Sequence, residues 1–379
     1  MSAFFLFMNI HWQDILGQDS VKTILTKIVF SDKIPHAFLF NGPEGVGKDL
    51  FAFRFAEFLI SSKVAPSNIE YVKKQVRSLS EPFIKYIFPL PRGKNETENS
   101  SSIEKLTPEQ IQLIHDEIER KIKNPYYKIS IPNASNIKIN SIRDAKKFLS
   151  FEYDDIPFRF VIISNAHLMS EEAQNSLLKS LEEPPEKVIF ILITSFPSFL
   201  RETIRSRCWT INFQPLNKSD LKTILINNFL IEKKIAEEVV PFAGGSTSNA
   251  LNLIDNDFEK ILEKTISILR YSFGKKISSA LDEFSPFLNN GNSDSIKLIL
   301  YLIICWLNDL QKLKINNNDY YFNNYFETLE KFNSKFPSIS VYKTVSKLDR
   351  LSSLIQSNIN LNLIVLNIVF ELSALVDSK

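Results

Sequence analysis

The residues with most chemistry in this chain are Gly42-Pro43-Glu44-Gly45-Val46-Gly47-Lys48-Asp49. The outer glycines and the lysine have the G-x-x-x-x-G-K spacing of a phosphate-binding loop. Glycines let the backbone curl until successive N–H groups face one phosphate. A following helix adds its positive end, and Lys48 would neutralise β and γ oxygens. Gly42, Gly45 and Gly47 are three of only nine glycines in the chain, so their clustering stands out against the composition. The bland alternative is a glycine-rich strand-to-helix turn that binds nothing.

The eighth position breaks the pattern. A hydroxyl residue there would ligate Mg²⁺, but the chain carries Asp49, whose carboxylate repels phosphate unless a metal lies between. Further on, the apolar run Arg159-Phe160-Val161-Ile162-Ile163 leads into Ser164-Asn165-Ala166-His167. In an active phosphate-loop ATPase the Ser164 and Asn165 positions hold two acids, one supporting Mg²⁺ and one polarising the attacking water. Neither acid is present. His167 could serve as a base, although a surface or supporting histidine is the simpler reading. Turnover is therefore not expected. ATP or ADP could still bind without hydrolysis, and no cofactor is required.

These residues need a scaffold to position them. Val21, Ile24, Leu25 and Ile28 have helical spacing, and Ala37–Phe40 reads as a short buried parallel strand. From Lys48 the helical pattern returns with Leu50, Phe51, Phe53, Ala56 and Leu59. Later segments read as a helix over 141–151, a strand over 159–163, a helix over 170–182 stopped by Pro184-Pro185, and strands over 188–194 and 209–213. Strands alternating with helices argue for a parallel sheet covered on both faces. Residues 62–135 differ, with seven prolines, no cysteine and a polar run over 91–102. They read as an insertion within a first domain spanning 1–214. Thr107-Pro108 opens a helix inside it. Pro215 begins an all-helical remainder, in which Ser219-Asp220 can cap a helix and Gly244-Gly245-Ser246 separates it from the next. The expected division is a small helical domain over 215–257 and a larger one over 258–379, whose apolar stripes read as bundle core.

The 379 residues include 45 basic and 43 acidic side chains, a net charge of +2. Such balance argues against a dedicated nucleic-acid binder. Cys208 and Cys305 lie far apart in sequence, which suggests no disulfide framework and fits a reducing cytosol. No run approaches the ~20 apolar residues of a membrane span. The apolar stretch Phe4–Met8 is too short for a secretion signal, and Met8 is an alternative start. A cytoplasmic protein without membrane contact is expected.

Several strings then carry a resemblance. They are Trp12-Gln13-Asp14-Ile15-Leu16-Gly17-Gln18, Pro35-His36-Ala37-Phe38-Leu39-Phe40, Asn175-Ser176-Leu177-Leu178-Lys179-Ser180-Leu181-Glu182-Glu183-Pro184-Pro185, and Ile204-Arg205-Ser206-Arg207-Cys208. Together they resemble the bacterial clamp-loader branch of the AAA+ family over about residues 10–60 and 140–255. The resemblance implies an α/β P-loop AAA+ domain, a helical lid and an all-α collar. It also implies a hetero-pentamer with a gamma/tau-type motor subunit and a delta subunit, acting on a sliding clamp and, through the complex, on primer-template DNA. By the same resemblance Arg207 aligns with an arginine finger offered to a neighbouring subunit's nucleotide, and Arg205 is a weaker candidate. The family's sensor-2 arginine falls near Ser248 and is missing. Its sensor-1 position falls near Thr194-Ser195, and its four-cysteine zinc module has no counterpart, so no zinc or other metal site is expected. Lost hydrolysis residues with a retained S-R-C string imply a non-hydrolysing subunit. The alternatives are an active motor ATPase that uses Asp49 as a metal ligand, and a structural DNA-binding or scaffolding module.

Overall fold

The computed structural model describes residues 11–376 apart from 32, 98–99, 152, 154, 290–292, 316, 318, 338 and 356–359. The apolar stretch over 4–8 and the alternative start at Met8 lie outside the described residues. Contacts divide the chain into two compact units. One holds the residues up to Glu232 with Gly245–Ser248; the other holds Lys233–Gly244 and the residues from Asn249.

The first unit runs α1 (Asp19–Val29), β1 (Ala37–Asn41), α2 (Lys48–Ser61), α3 (Ile69–Arg77), β2 (Ile84–Ile87), α4 (Pro108–Lys123), α5 (Ile139–Ser150), β3 (Arg159–Ile163), α6 (Glu171–Glu182), β4 (Val188–Thr194), α7 (Glu202–Arg205), β5 (Trp209–Asn212) and α8 (Lys218–Phe229). The strands form one sheet in the order β2-β3-β4-β1-β5, every pairing parallel. β3 and β4 are buried at every position. That follows from continuous apolar runs covered by helices on both faces. α2 is buried over most of its circumference, because Phe51, Phe55 and Phe58 pack inside the unit while Glu57, also buried, is neutralised by Arg54 and Arg77. The expected parallel sheet is thus observed, and its strand ends set the stage for the phosphate loop between β1 and α2.

Two local expectations need amendment. β2 went unseen in the sequence, since Ile84-Lys85-Tyr86-Ile87 is short and stands between Pro82 and Pro89; it forms the sheet edge against β3. Residues 62–135 therefore supply an edge strand of the sheet as well as a helical module. The N-cap of α8 is Asn217, whose side chain accepts the Asp220 N–H at 2.8 Å, in place of Ser219-Asp220. The expected start of α4 holds, with Thr107 and Gln110 forming a reciprocal capping box. The module around α4 has its own small core of Phe88, Leu90, Leu106, Ile114 and Ile131. Its charged anchors are Glu117, which accepts from Arg120, Tyr127 and the Ser130 N–H, and Glu96, which pairs with Lys138 at 2.7 Å.

The second unit is helical. It contains α9 (Lys233–Val239), α10 (Thr247–Asp255, whose first two residues belong to the first unit), α11 (Phe258–Phe273), α12 (Ile277–Asn289), α13 (Ser293–Lys314), α14 (Phe326–Lys335), α15 (Tyr342–Leu354) and α16 (Leu361–Leu375). α11, α12, α13 and α16 enclose Phe284, Leu300, Ile303, Leu307, Ile368 and Leu372. Asp309, fully buried, accepts the N–H groups of Tyr321 and Phe322 and fixes the loop after α13.

Candidate functional site

Gly42, Gly45 and Gly47 all take positive φ, which an L side chain rarely adopts, so the loop needs glycine at each. The curl brings the Lys48 ammonium back onto its own loop. It donates to the carbonyl of Gly42 at 2.7 Å, to that of Pro43, and to the Ser195 hydroxyl at 3.0 Å. Burial pulls its pKa down to about 8 against the smaller opposing effects of Asp49 and Glu44. Thus the lysine that would meet phosphate has three protein acceptors, one of them at the expected sensor-1 turn.

Asp49 opens α2 and faces the strand end where Ser164 and Asn165 lie. The Tyr86 hydroxyl donates to its carboxylate at 2.8 Å, and the Lys121 ammonium stands 3.8 Å away. Burial pushes this carboxyl up, but Lys121, hydrogen bonds from Ser164 and Tyr86, and Lys48 outweigh burial and hold it below its ordinary value. Ser164 is therefore a neutral hydrogen-bond partner of Asp49 where an active enzyme would hold an acid. Asn165 sits in a left-handed turn leading to Ala166–Leu168. His167 bonds through Nδ1 to Thr194 at 3.1 Å and lies edge-on to Phe196, while burial lowers its pKa.

Three neighbours of the loop had no signal in the sequence. Tyr86 and Lys121 come from β2 and α4. The Tyr126 ring lies so close to Gly47 that a Cβ there would sit 3.0 Å from it. On the opposite wall, the N–H and hydroxyl of Thr247 both donate to the Gly45 carbonyl, at 3.1 and 2.8 Å. A side chain on Gly45 would meet the Ser248 nitrogen at 2.5 Å. The segment expected to have lost its sensor arginine thus rests directly on the loop. The cavity left beside it measures about 270 Å³ and is lined by Lys48, Asp49, Lys121 and Ser164 among others. Trp12 is buried against Phe51 with its indole N–H donated to the Thr26 hydroxyl.

Arg207 lies elsewhere on the unit, between α7 and β5. Its guanidinium is about one-third exposed and is held by Glu182 at 2.8 Å and by the Thr203 carbonyl at 2.8 Å. The L-E-E-P-P string and the S-R-C string thereby meet in space. Arg205 is exposed. Cys208 packs partly against the core, and burial pushes its thiol up to about 12, which disfavours the thiolate. Among the described residues no group of three or more His, Cys, Asp or Glu side chains could hold a metal ion, and no helix is long and apolar enough to cross a membrane.

Comparison with known proteins places these features in context. A family model described as DNA polymerase III, delta subunit matches residues 17–217, and one described as DNA polymerase III, delta subunit, C terminal matches residues 268–374. The chain is 25% identical over 376 residues to DNA polymerase III subunit delta' of Bacillus subtilis, covering 96% of this chain and 99% of that one. It is 25% identical over 373 residues to subunit tau of the same organism, covering 89% of this chain but 57% of the relative. The chain thus spans little more than half of that tau subunit. A crystal structure of a gamma subunit-related protein from Thermotoga maritima aligns over 94% of this chain and 99% of its own, with TM-score 0.42 and 18% identity. With both halves matched by that family's models, and with a delta' subunit aligned almost end to end, the chain belongs to the DNA polymerase III delta-subunit family and is delta'-like.

Proposed function

We propose that this chain is a non-hydrolysing clamp-loader subunit that helps place a sliding clamp on primed DNA and lends Arg207 to the nucleotide site of a neighbouring motor subunit. The observation that carries the reading is the environment of Asp49. The hydroxyl expected at its position and the two acids expected at Ser164 and Asn165 are all missing, and its carboxylate is engaged by Tyr86, Ser164 and Lys121. Positioning and charge stabilisation are nearly all that an enzyme contributes to phosphoryl transfer. A site without them should be silent.

Arg207 keeps the chemistry that its own loop lacks. A planar guanidinium can bind two phosphate oxygens at once and offset charge spreading over the transferring group. Glu182 and the Thr203 carbonyl hold it part-exposed, and a phosphate from a partner would compete with Glu182. In this reading the partners are a gamma/tau-type motor and a delta subunit in a hetero-pentamer, with the lid drawn from residues of both compact units and the collar from the helical second unit. The division into an α/β domain over 1–214, a lid over 215–257 and a collar over 258–379 belongs to the same proposal.

The test is a reconstituted complex carrying Arg207→Ala. The variant should fold and assemble, yet lower ATP turnover by the partner at least about tenfold, since trans arginines contribute orders of magnitude in related chemistry. Unchanged turnover would remove the finger assignment. The second reading, an active motor, draws on the tau relative; phosphate release by the isolated chain that disappears in Lys48→Ala would favour it.

A further inference from the structure

The metal of an active P-loop site does not fit the residues around Asp49. Mg²⁺ demands near-octahedral oxygens at ~2.0–2.1 Å and keeps several waters. Here one carboxylate oxygen accepts the Tyr86 hydroxyl at 2.8 Å, and the other faces the Lys121 ammonium at 3.8 Å. Lys121 has 5% side-chain exposure and is fastened on its far side to the Tyr127 carbonyl at 2.8 Å. A divalent ion would have to enter beside this fixed cation, with Lys48 also near, and like charges at such range in a desolvated site repel strongly. The walls of the loop are taken as well, by Tyr126 on Gly47 and by Thr247 on Gly45.

We infer that the Lys121 ammonium, delivered by α4, is a built-in substitute for the divalent cation, and that α4 with the following Tyr126 turn clamps the phosphate loop shut from one side while 246–248 clamp it from the other. The loop then serves as an internal tie between the sheet and the 62–135 module. The inference rests on the non-hydrolysing reading and supplies its physical cause.

A double-mutant cycle on the full chain tests it. Asp49→Asn and Lys121→Met should each lower the thermal midpoint by roughly 6–20 °C. The double variant should lose clearly less than the sum, and Lys121→Arg should retain most of the wild-type midpoint. Additive losses would overturn the ion-pair assignment. In the same assay MgCl₂, alone or with ATP, should leave the wild-type midpoint unmoved. A magnesium-dependent rise that Asp49→Asn abolishes would overturn the substitution of ammonium for metal. Phosphate release by the wild-type chain is measured alongside. Turnover there sinks the non-hydrolysing reading itself, whereas a silent chain with an additive cycle sinks only this inference.

Discussion

Lys48 holds the lysine position of the phosphate-loop motif. Its ammonium is satisfied by two carbonyls of its own loop and by Ser195, and burial lowers its pKa to about 8. An unfolded chain would keep that proton to the ordinary lysine value of about 10.5. Between those two values the unfolded state binds more protons, so stability rises with pH across the interval. The wild type should therefore gain stability relative to Lys48→Met from about pH 8 to about pH 10, by up to roughly 3 kcal/mol if the whole shift is expressed. Urea unfolding of both proteins across that range measures it, and a flat difference would mean the ammonium is well hydrated. The motif residues at 42–49 were legible from spacing alone because glycine and lysine have few other reasons to stand so. Lys121 was not. It is one of three basic residues, with Arg120 and Lys123, in the last turn of α4, and only packing separates the buried one from its solvated neighbours.

At the level of elements, the central strands announced themselves as long apolar runs, whereas β2 is four residues between prolines and has no periodicity to detect. Its pairing with β3 draws the 62–135 segment onto the sheet, and α4 follows. The segment is held together by Phe88, Leu90, Leu106, Ile114 and Ile131, with Glu117 and Glu96 neutralised by Arg120 and Lys138. A core this small has little redundancy. Ile114→Ala should cost about 2–4 kcal/mol locally. Amide exchange should quicken over residues 88–131 while β4 stays protected, and equal acceleration in both places would show that the module does not open independently. The meeting of Arg207 with Glu182 was likewise hidden, since the two strings are separated by a strand and a turn; the resemblance named both without pairing them.

Over the whole molecule, charge and architecture bear on partners. With 45 basic and 43 acidic residues there is no overall field to draw in a phosphate backbone. The isolated chain should therefore bind duplex DNA only weakly at about 150 mM salt, which fluorescence anisotropy can measure. Tight, steeply salt-dependent binding by the chain alone would point to the scaffolding or DNA-binding alternative. The two units also differ in what their sequences disclosed. Spacing and strings specified the first unit, while the second was readable only as helices, because bundle cores accept many apolar combinations. Finally, each of the three tryptophans has a distinct setting. Trp12 and Trp306 are interior to different units, and Trp209, two positions beyond Arg207, is 52% exposed on the edge strand. Ultraviolet emission can therefore distinguish events without any attached dye: a neighbour covering the arginine-bearing rim would turn one indole toward the blue, while the two interior indoles keep their colour until their own unit melts.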